Sequence, residues 1–473
     1  MYELLRISAV FAVAAIQSEP PNPARSAASN NLLVVTLDTV RADHLGCYGY
    51  FRDTTPNLDA FAASALRFTR CTTPVAQTTP SHVSLFTGVS PAEHGVGRNL
   101  TTQRTRERGH LGLATSPTLQ TLAQSVSTVG MRTGAFVGAA PVKRSTGLNA
   151  GFETWTEPKS ARRNGAETIA DAIRFIDGGG APFLVWIHLY DAHAPYLPTP
   201  KSKPCFERYQ TDEALERWLR ARSFPSHIDD PRMGDVAMCD EANTYDGALR
   251  WLDSTLATLF ERLGKDDLRK TTTVVIVADH GTGLGQHDDL THGICWNEQL
   301  TVPLLIRFPD GAARVVDTPM TTLDLWPTLA GPLPGLFAPR FLEQCRGRDV
   351  LAAAVEERPF FAYGASDPGL FSVTVGDWKC LFDPNGTAHL FDRIADPFEI
   401  DDVATGHRDI VDRMRRLLDQ QLASERRRAE LHQHGALDGG IADPTILEEL
   451  RSLGYVEDGA ETSTPPPNPP TDH

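Results

Sequence analysis

Asn31-Leu32-Leu33-Val34-Val35-Thr36-Leu37 runs directly into Asp38, and Thr271-Thr272-Thr273-Val274-Val275-Ile276-Val277-Ala278 runs directly into Asp279 and His280. Both runs are short, aliphatic or β-branched, and lack polar–apolar alternation. That is the pattern of a strand covered on both faces in a parallel sheet. Phe183–Leu189 is a third such run, leading to Asp191 and His193. Thr133–Val137 reads as a further strand. Between the strands, apolar residues recur at helical spacing: Leu58, Phe61, Ala62, Ala65 and Leu66 within Asn57–Phe68; Leu119, Leu122, Val126 and Val129; Ile169, Ile173 and Ile176; and Tyr245, Leu249, Leu252, Leu256 and Leu259. Such alternation implies an α/β fold, a mainly parallel sheet sandwiched by helices.

The chain has 473 residues, enough for one large α/β domain and a smaller one. The main domain is expected over 31–340. Beyond it Phe371–Val375 and Trp378–Phe382 read as short strands and Asp409–Leu422 as a helix, a small C-terminal α+β subdomain over 341–456. Residues 457–473, rich in Thr, Pro and acid, are expected to be disordered. Residues 1–30 read as a signal segment and linker: Ile7–Ile16 is apolar, follows Arg6, and is too short to span a membrane. Export to a periplasmic or extracellular location is therefore expected, with a cytoplasmic location the alternative. No later stretch is long and apolar enough for a transmembrane anchor. The net charge of −15 argues against a nucleic-acid partner but not against a small anionic ester, because a bound cation reverses the local field. The seven cysteines are scattered, without zinc-ribbon or Cys-x-x-Cys spacing, and read as buried thiols. Nothing in the sequence speaks to the oligomeric state.

In an open α/β sheet, ligands bind beyond the carboxyl ends of the strands. Three strands here deliver Asp38, Asp279 with His280, and Asp191 with His193 to that edge, a set suited to a divalent Ca, Mn, Zn or Mg ion. A lone Asp38 would equally serve as a turn or helix cap. The stretch Thr78-Thr79-Pro80-Ser81-His82-Val83-Ser84-Leu85-Phe86-Thr87-Gly88 carries a helix start and stop. A helix N-terminus attracts a tetrahedral oxyanion, and a cation beside a hydroxyl there would lower its pKa. Thr78 as a plain cap is the competing reading.

These residues resemble the sulfatase family of the alkaline phosphatase superfamily. The carriers are Leu37-Asp38-Thr39-Val40-Arg41-Ala42-Asp43-His44-Leu45-Gly46-Cys47-Tyr48-Gly49, Thr55-Pro56-Asn57-Leu58-Asp59, Thr78 through Gly88, Asp191-Ala192-His193-Ala194-Pro195-Tyr196 and Ala278-Asp279-His280-Gly281. Later matches are Val302-Pro303-Leu304, Asp324 through Leu329, Leu390-Phe391-Asp392 and Asp396-Pro397-Phe398-Glu399. The resemblance implies an alkaline phosphatase/sulfatase-like fold, a divalent metal on Asp38, Thr78, Asp279 and His280, and ester hydrolysis. His193 and His292 are then candidates for leaving-group protonation or a second metal, and His82 for substrate contact. Arg41 and Asp43 are expected to brace the metal loop.

The sequence departs from the family pattern at instructive places. Thr78 stands where a standard sulfatase has the Cys or Ser that becomes formylglycine, an aldehyde Thr does not yield. His82 replaces the motif's Arg, Thr39 stands where many members have a second Asp, and the Gly-Lys-Trp-His segment is lost near Gly138–Pro141. A Thr nucleophile resembles the phosphoesterase, phosphodiesterase and phosphoethanolamine-transferase branches, so phospho(di)esters or phosphonate esters are expected ahead of sulfate esters. A sulfuric ester hydrolase, a phospho-group transferase and a non-catalytic anion binder remain the alternatives. The lack of membrane helices favours a hydrolase over a transferase, and the complete set of coordinating residue types argues against a non-catalytic binder.

Overall fold

The aliphatic runs become the centre of an eight-stranded sheet in a computed structural model, which describes residues 31–99, 118–223 and 235–432 apart from 181, 197, 199, 310, 312, 353–356 and 368. The signal segment and the tail expected from the sequence lie outside the described residues. The strand order is Thr154–Thr156, Arg132–Val137, Phe183–Leu189, Asn31–Leu37, Thr272–Ala278, Leu304–Arg307, Leu66–Phe68 and Arg314–Val316. The first five are mutually parallel, and Leu304–Arg307 runs antiparallel to its two neighbours. Leu32, Leu33, Val34, Val35 and Leu37 are fully buried. Each such side chain contributes about 1.5–3 kcal/mol of burial free energy, which sets the register firmly.

That register decides where the chemistry lies. Leu37 pairs with Leu189 on one side and Ala278 on the other, so Asp38, Tyr190 and Asp279 leave three adjacent strands at one level. The Asp38 amide still donates to Leu189 O at 2.9 Å, which holds the exit geometry.

One element differs from expectation. The helix predicted over Asn57–Phe68 ends at Ala62, and Leu66–Phe68 is a strand. Leu66 and Phe68 are buried there against Leu304–Arg307 and Arg314–Val316, so sheet pairing overrides the local helical spacing. The helix expected over Tyr245–Leu259 is longer, Asp235–Leu263, and packs on Gly165–Asp177 and Pro56–Ala62. No helix among the described residues is long and apolar enough to cross a membrane. The seven cysteines form no disulfide.

The C-terminal part is a four-stranded antiparallel sheet, Phe360–Tyr363, Phe371–Val375, Trp378–Phe382 and Ala388–Asp392. Helix Arg408–Ala429 lays Met414 and Leu418 on its buried face. The same helix is latched to the main domain. Its buried Glu425 accepts from Ser90 Oγ at 2.6 Å and from the Tyr363 hydroxyl, and its Arg428 donates to the buried Glu93 at 2.8 Å.

Candidate metal centre and nucleophile

Asp38 and Asp279 are both buried at neighbouring strand ends. Asp279 Oδ1 accepts from the amides of Thr39 (3.2 Å) and His280 (2.8 Å), while its Oδ2 has no hydrogen-bond partner among the described residues. Asp38 Oδ2 accepts from His188 Nε2 at 3.1 Å, and its Oδ1 likewise has no partner among the described residues. His280 Nδ1 donates to Gly281 O at 2.8 Å, which leaves Nε2 as a lone pair. Ligand atoms of Asp38, Asp279 and His280 all lie within 4.8 Å of one another. Burial pushes both carboxyls well above the usual range, and the Asp38 charge pushes Asp279 further. Two carboxylate oxygens without a partner among the described residues, converging with an imidazole lone pair, fit a divalent ion. The turn is held in an unusual conformation to do this. Thr39 has φ 57°, a costly value for a β-branched residue, and it aims its amide at Asp279. The Tyr245 hydroxyl pins the turn, donating to Thr39 O and accepting from Arg41 N, both at 2.9 Å. Arg41 forks onto Asp43 and reaches Thr282 O, the bracing role expected of the pair.

Thr78 opens the fully buried helix Thr78–Thr87, whose N-cap residue is Gln77. The Thr78 hydroxyl makes no cap. It lies 3.4 Å from His280 Nε2, and its presence beside Asp38 partly offsets the rise in that carboxyl's pKa. The competing reading of Thr78 as a plain cap therefore has no support in the geometry. The helix start is less open than expected: Pro80 has no N–H, Thr79 N donates to Asn99 Oδ1 at 2.7 Å, and Ser81 N to Gln77 O at 3.0 Å.

Two further histidines frame the centre. His82 Nδ1 donates to Thr78 O at 2.7 Å, and its Nε2 accepts from the Thr36 hydroxyl at 3.0 Å. The Thr36 oxygen in turn accepts from Trp186 Nε1 at 2.9 Å. Both His82 nitrogens are thus committed, so the structure gives it a place beneath the nucleophile in place of the expected substrate contact. His188 accepts from Gly138 N at Nδ1 (3.3 Å) and donates from Nε2 to Asp38. Burial drives both imidazoles down, His188 to about 3, so both stay neutral. His188 escaped notice in the sequence because it sits inside an apolar run. The available signal was its register partner Thr36, a second polar residue in an otherwise apolar strand.

His193 and His292 meet at the rim, Nε2 to Nε2 at 3.2 Å. Nδ1 of His193 donates to Ala194 O and Nδ1 of His292 to Ala76 O at 3.2 Å. The His292 ring lies 4.4 Å from that of His280. Burial lowers both pKa values, that of His292 to about 4. Asp191 does not join the site. It turns away to accept from Gly165 N (3.2 Å) and Trp251 Nε1 (3.1 Å), locking the start of a neighbouring helix. His94 bonds Ser84 Oγ, and His287 pairs with Glu298 at 2.6 Å and stacks on Trp296; both are structural.

A sheet of this order carries two carboxylates, an imidazole and a helix-borne hydroxyl at its carboxyl edge, where open α/β sheets bind their ligands. The sulfatase family model matches residues 30–335. Human arylsulfatase A is 27% identical over 427 residues, covering 83% of this chain and 80% of the relative. Among solved structures, yidJ from Bacteroides fragilis superposes with a TM-score of 0.69 at 19% identity, covering 88% of this chain and 99% of the other. The phosphonate monoester hydrolase of Agrobacterium radiobacter superposes at 0.60 with 19% identity, covering 85% and 96%. The chain belongs to the sulfatase family, whose members are ester-hydrolysing enzymes.

Proposed function

We propose that this protein is a divalent-metal-dependent hydrolase of phosphodiesters or phosphonate monoesters, with Thr78 as nucleophile. The observation that carries the reading is the Thr78 hydroxyl 3.4 Å from His280 Nε2, beside two buried carboxylate oxygens that have no partner among the described residues. Asp38, Asp279 and His280 would hold the ion, with Thr78 Oγ completing the set. The ion supplies Lewis-acid polarisation of the ester and lowers the pKa of the nucleophile.

Thr78 Oγ loses its proton and bonds to the phosphorus, and the bond from phosphorus to the leaving oxygen breaks. The proton that Thr78 loses is taken up on the facing Nε2 lone pairs of the His193–His292 pair, whose Nδ1 hydrogens are held by carbonyls, and passes from there to the leaving oxygen. Water then attacks phosphorus and the bond to Thr78 Oγ breaks, restoring the hydroxyl. His188 holds Asp38 and the Trp186–Thr36–His82 relay holds the Thr78 carbonyl, so neither group needs to reorganise during the reaction.

Charge supports singly charged esters. Burial keeps His82, His188, His193, His280 and His292 neutral, so the two carboxylates carry the charge of this cluster. A divalent cation balances them, and a monoanionic diester meets less opposition than a dianionic monoester. A second reading, sulfate-ester hydrolysis, is favoured by the relationship to arylsulfatase A. A threonyl ester has only one oxygen on its β-carbon, however, so release must occur by attack at phosphorus or sulfur, which supports phosphorus.

The test is a paired assay of an aryl phosphodiester, an aryl phosphate monoester and an aryl sulfate on wild type and Thr78→Ala. Diester turnover should lead and should vanish in the variant. Sulfate turnover that leads and depends on Thr78 would replace the phosphorus reading with the sulfate one.

A further inference from the structure

A cavity of about 240 Å³ lies where Arg41 and Asp43 meet Arg222, Gln286, Glu298 and the 393–398 segment of the C-terminal part. That is many times the room one water needs. None of Asp38, Thr78, Asp279 and His280 lines it. Its acids are already neutralised. Asp43 accepts from Arg41 through both oxygens at 2.9 Å, and Glu298 pairs with His287 at 2.6 Å. Its other cations are not. Among the described residues, the side-chain hydrogen bonds of Arg222 and Arg393 go only to backbone carbonyls, Trp218 O at 3.0 Å and Gly376 O at 3.2 Å. Burial lowers the pKa of both guanidinium groups, and Arg70 lowers that of Arg393 further.

The donors that face no acceptor are well placed. The Arg222 guanidinium lies 4.0 Å from the Trp218 ring centre and 4.2 Å from that of Phe398, so two rings hold its plane and leave its rim for hydrogen bonds. Its Nε is buried without a partner. Gln286 is 1% exposed, and its Oε1 accepts from Leu284 N at 3.0 Å and Arg41 Nη1 at 3.3 Å. Those two bonds identify the other end of the carboxamide as the donor, and that Nε2 is buried with no partner among the described residues. A guanidinium edge offers two parallel N–H groups that match two oxygens of one anion.

We propose that this cavity is a second anion site, separate from the metal centre, which takes a free tetrahedral oxyanion of the phosphate or sulfate type on the Nε–Nη2 edge of Arg222, with Gln286 and Arg393 as further donors. It goes beyond the ester chemistry and does not depend on which ester is cleaved.

The test is equilibrium dialysis of radiolabelled inorganic phosphate against the metal-loaded enzyme, wild type beside Arg222→Gln and Arg393→Gln. Phosphate inhibition of turnover is measured in parallel, on whichever aryl ester the enzyme cleaves. Each variant should bind phosphate at this site at least about tenfold more weakly, while the inhibition constant of phosphate at the metal centre stays that of wild type. Unchanged phosphate binding in Arg222→Gln would overturn the proposal, as would a loss matched by an equal rise in the inhibition constant. Phenyl phosphate that displaces this phosphate as well as phosphate itself does would overturn the assignment to a free ion. Wild-type crystals soaked in selenate keep the test decisive should the variants fold poorly. An anomalous peak within hydrogen-bond distance of Arg222 is expected. A peak at the metal centre alone, or one in the cavity without binding in solution and so an adventitious ion only, would overturn the site.

Discussion

Replacing Asp38 by Asn should stabilise the metal-free protein while abolishing its activity. Asp38 and Asp279 are fully or almost fully buried, each has an oxygen without a partner, and the ligand atoms they offer lie within 4.8 Å. Two unit charges at that separation repel by about 3.5 kcal/mol at an effective dielectric constant of about 20. An amide at position 38 removes the repulsion, and its oxygen can still accept from His188 Nε2, so a gain of about 2–4 kcal/mol is expected in chelator. The pH dependence has a definite sign. Burial holds both carboxyls above their unfolded values, so the folded metal-free state binds more protons than the unfolded one. Wild-type stability is then full below the ordinary carboxylate range and declines as pH rises toward the raised values. Urea denaturation with chelator at about pH 5 and about pH 8 should show this decline in wild type and a flatter response in Asp38→Asn. Restoring the divalent ion should reverse the order, with wild type the more stable. An Asp38→Asn midpoint at or below wild type in chelator at the higher pH would refute the argument, because the carboxylates would then not be strained against each other.

Other consequences follow from the surrounding groups. His188→Phe removes the donor that orients Asp38 and should weaken divalent-metal affinity about 10–100-fold, read by calorimetric titration. Thr36→Val leaves Trp186 Nε1 and His82 Nε2 without their shared partner and should cost about 1–3 kcal/mol in denaturant unfolding. Burial alone would lower the His287 pKa, but the Glu298 carboxylate more than reverses this and raises it above 6.5. Its contribution to stability is therefore full below about pH 6.5 and lost as pH rises through the raised value, and His287→Gln should lack that loss in a denaturant-midpoint series.

The strands that carry the metal ligands were legible because a strand buried on both faces writes itself as an unbroken apolar run. Asn31–Leu37 and Phe183–Leu189 begin and end where the sequence pattern does, and Thr272–Ala278 one residue later than read. Leu66–Phe68 was not legible, since a three-residue strand that continues a helical spacing is decided by its sheet partners alone. At the site, Asp38, Thr78, Asp279 and His280 stand at strand ends and a helix start, where topology alone brings them together. Asp191 shares a strand end but turns outward to a helix N-terminus, a choice made by Gly165 and Trp251 and invisible from its own neighbourhood. His82 looked exposed to substrate from its helical spacing, yet Thr36 and Trp186, 46 and over 100 residues away, capture it.

A divalent ion, two buried carboxylates and a helix-borne hydroxyl make one chemical claim, that the ester's phosphoryl group passes through Thr78. The direct measurement is rapid acid quench of the metal-loaded enzyme during turnover of an aryl phosphodiester, followed by peptide mass spectrometry. The expected result is a phosphoryl-ester adduct on the peptide containing Thr78 that forms within the first turnover and is absent in Thr78→Ala. Normal turnover with no adduct at Thr78, or with Thr78→Ala as active as wild type, would contradict it.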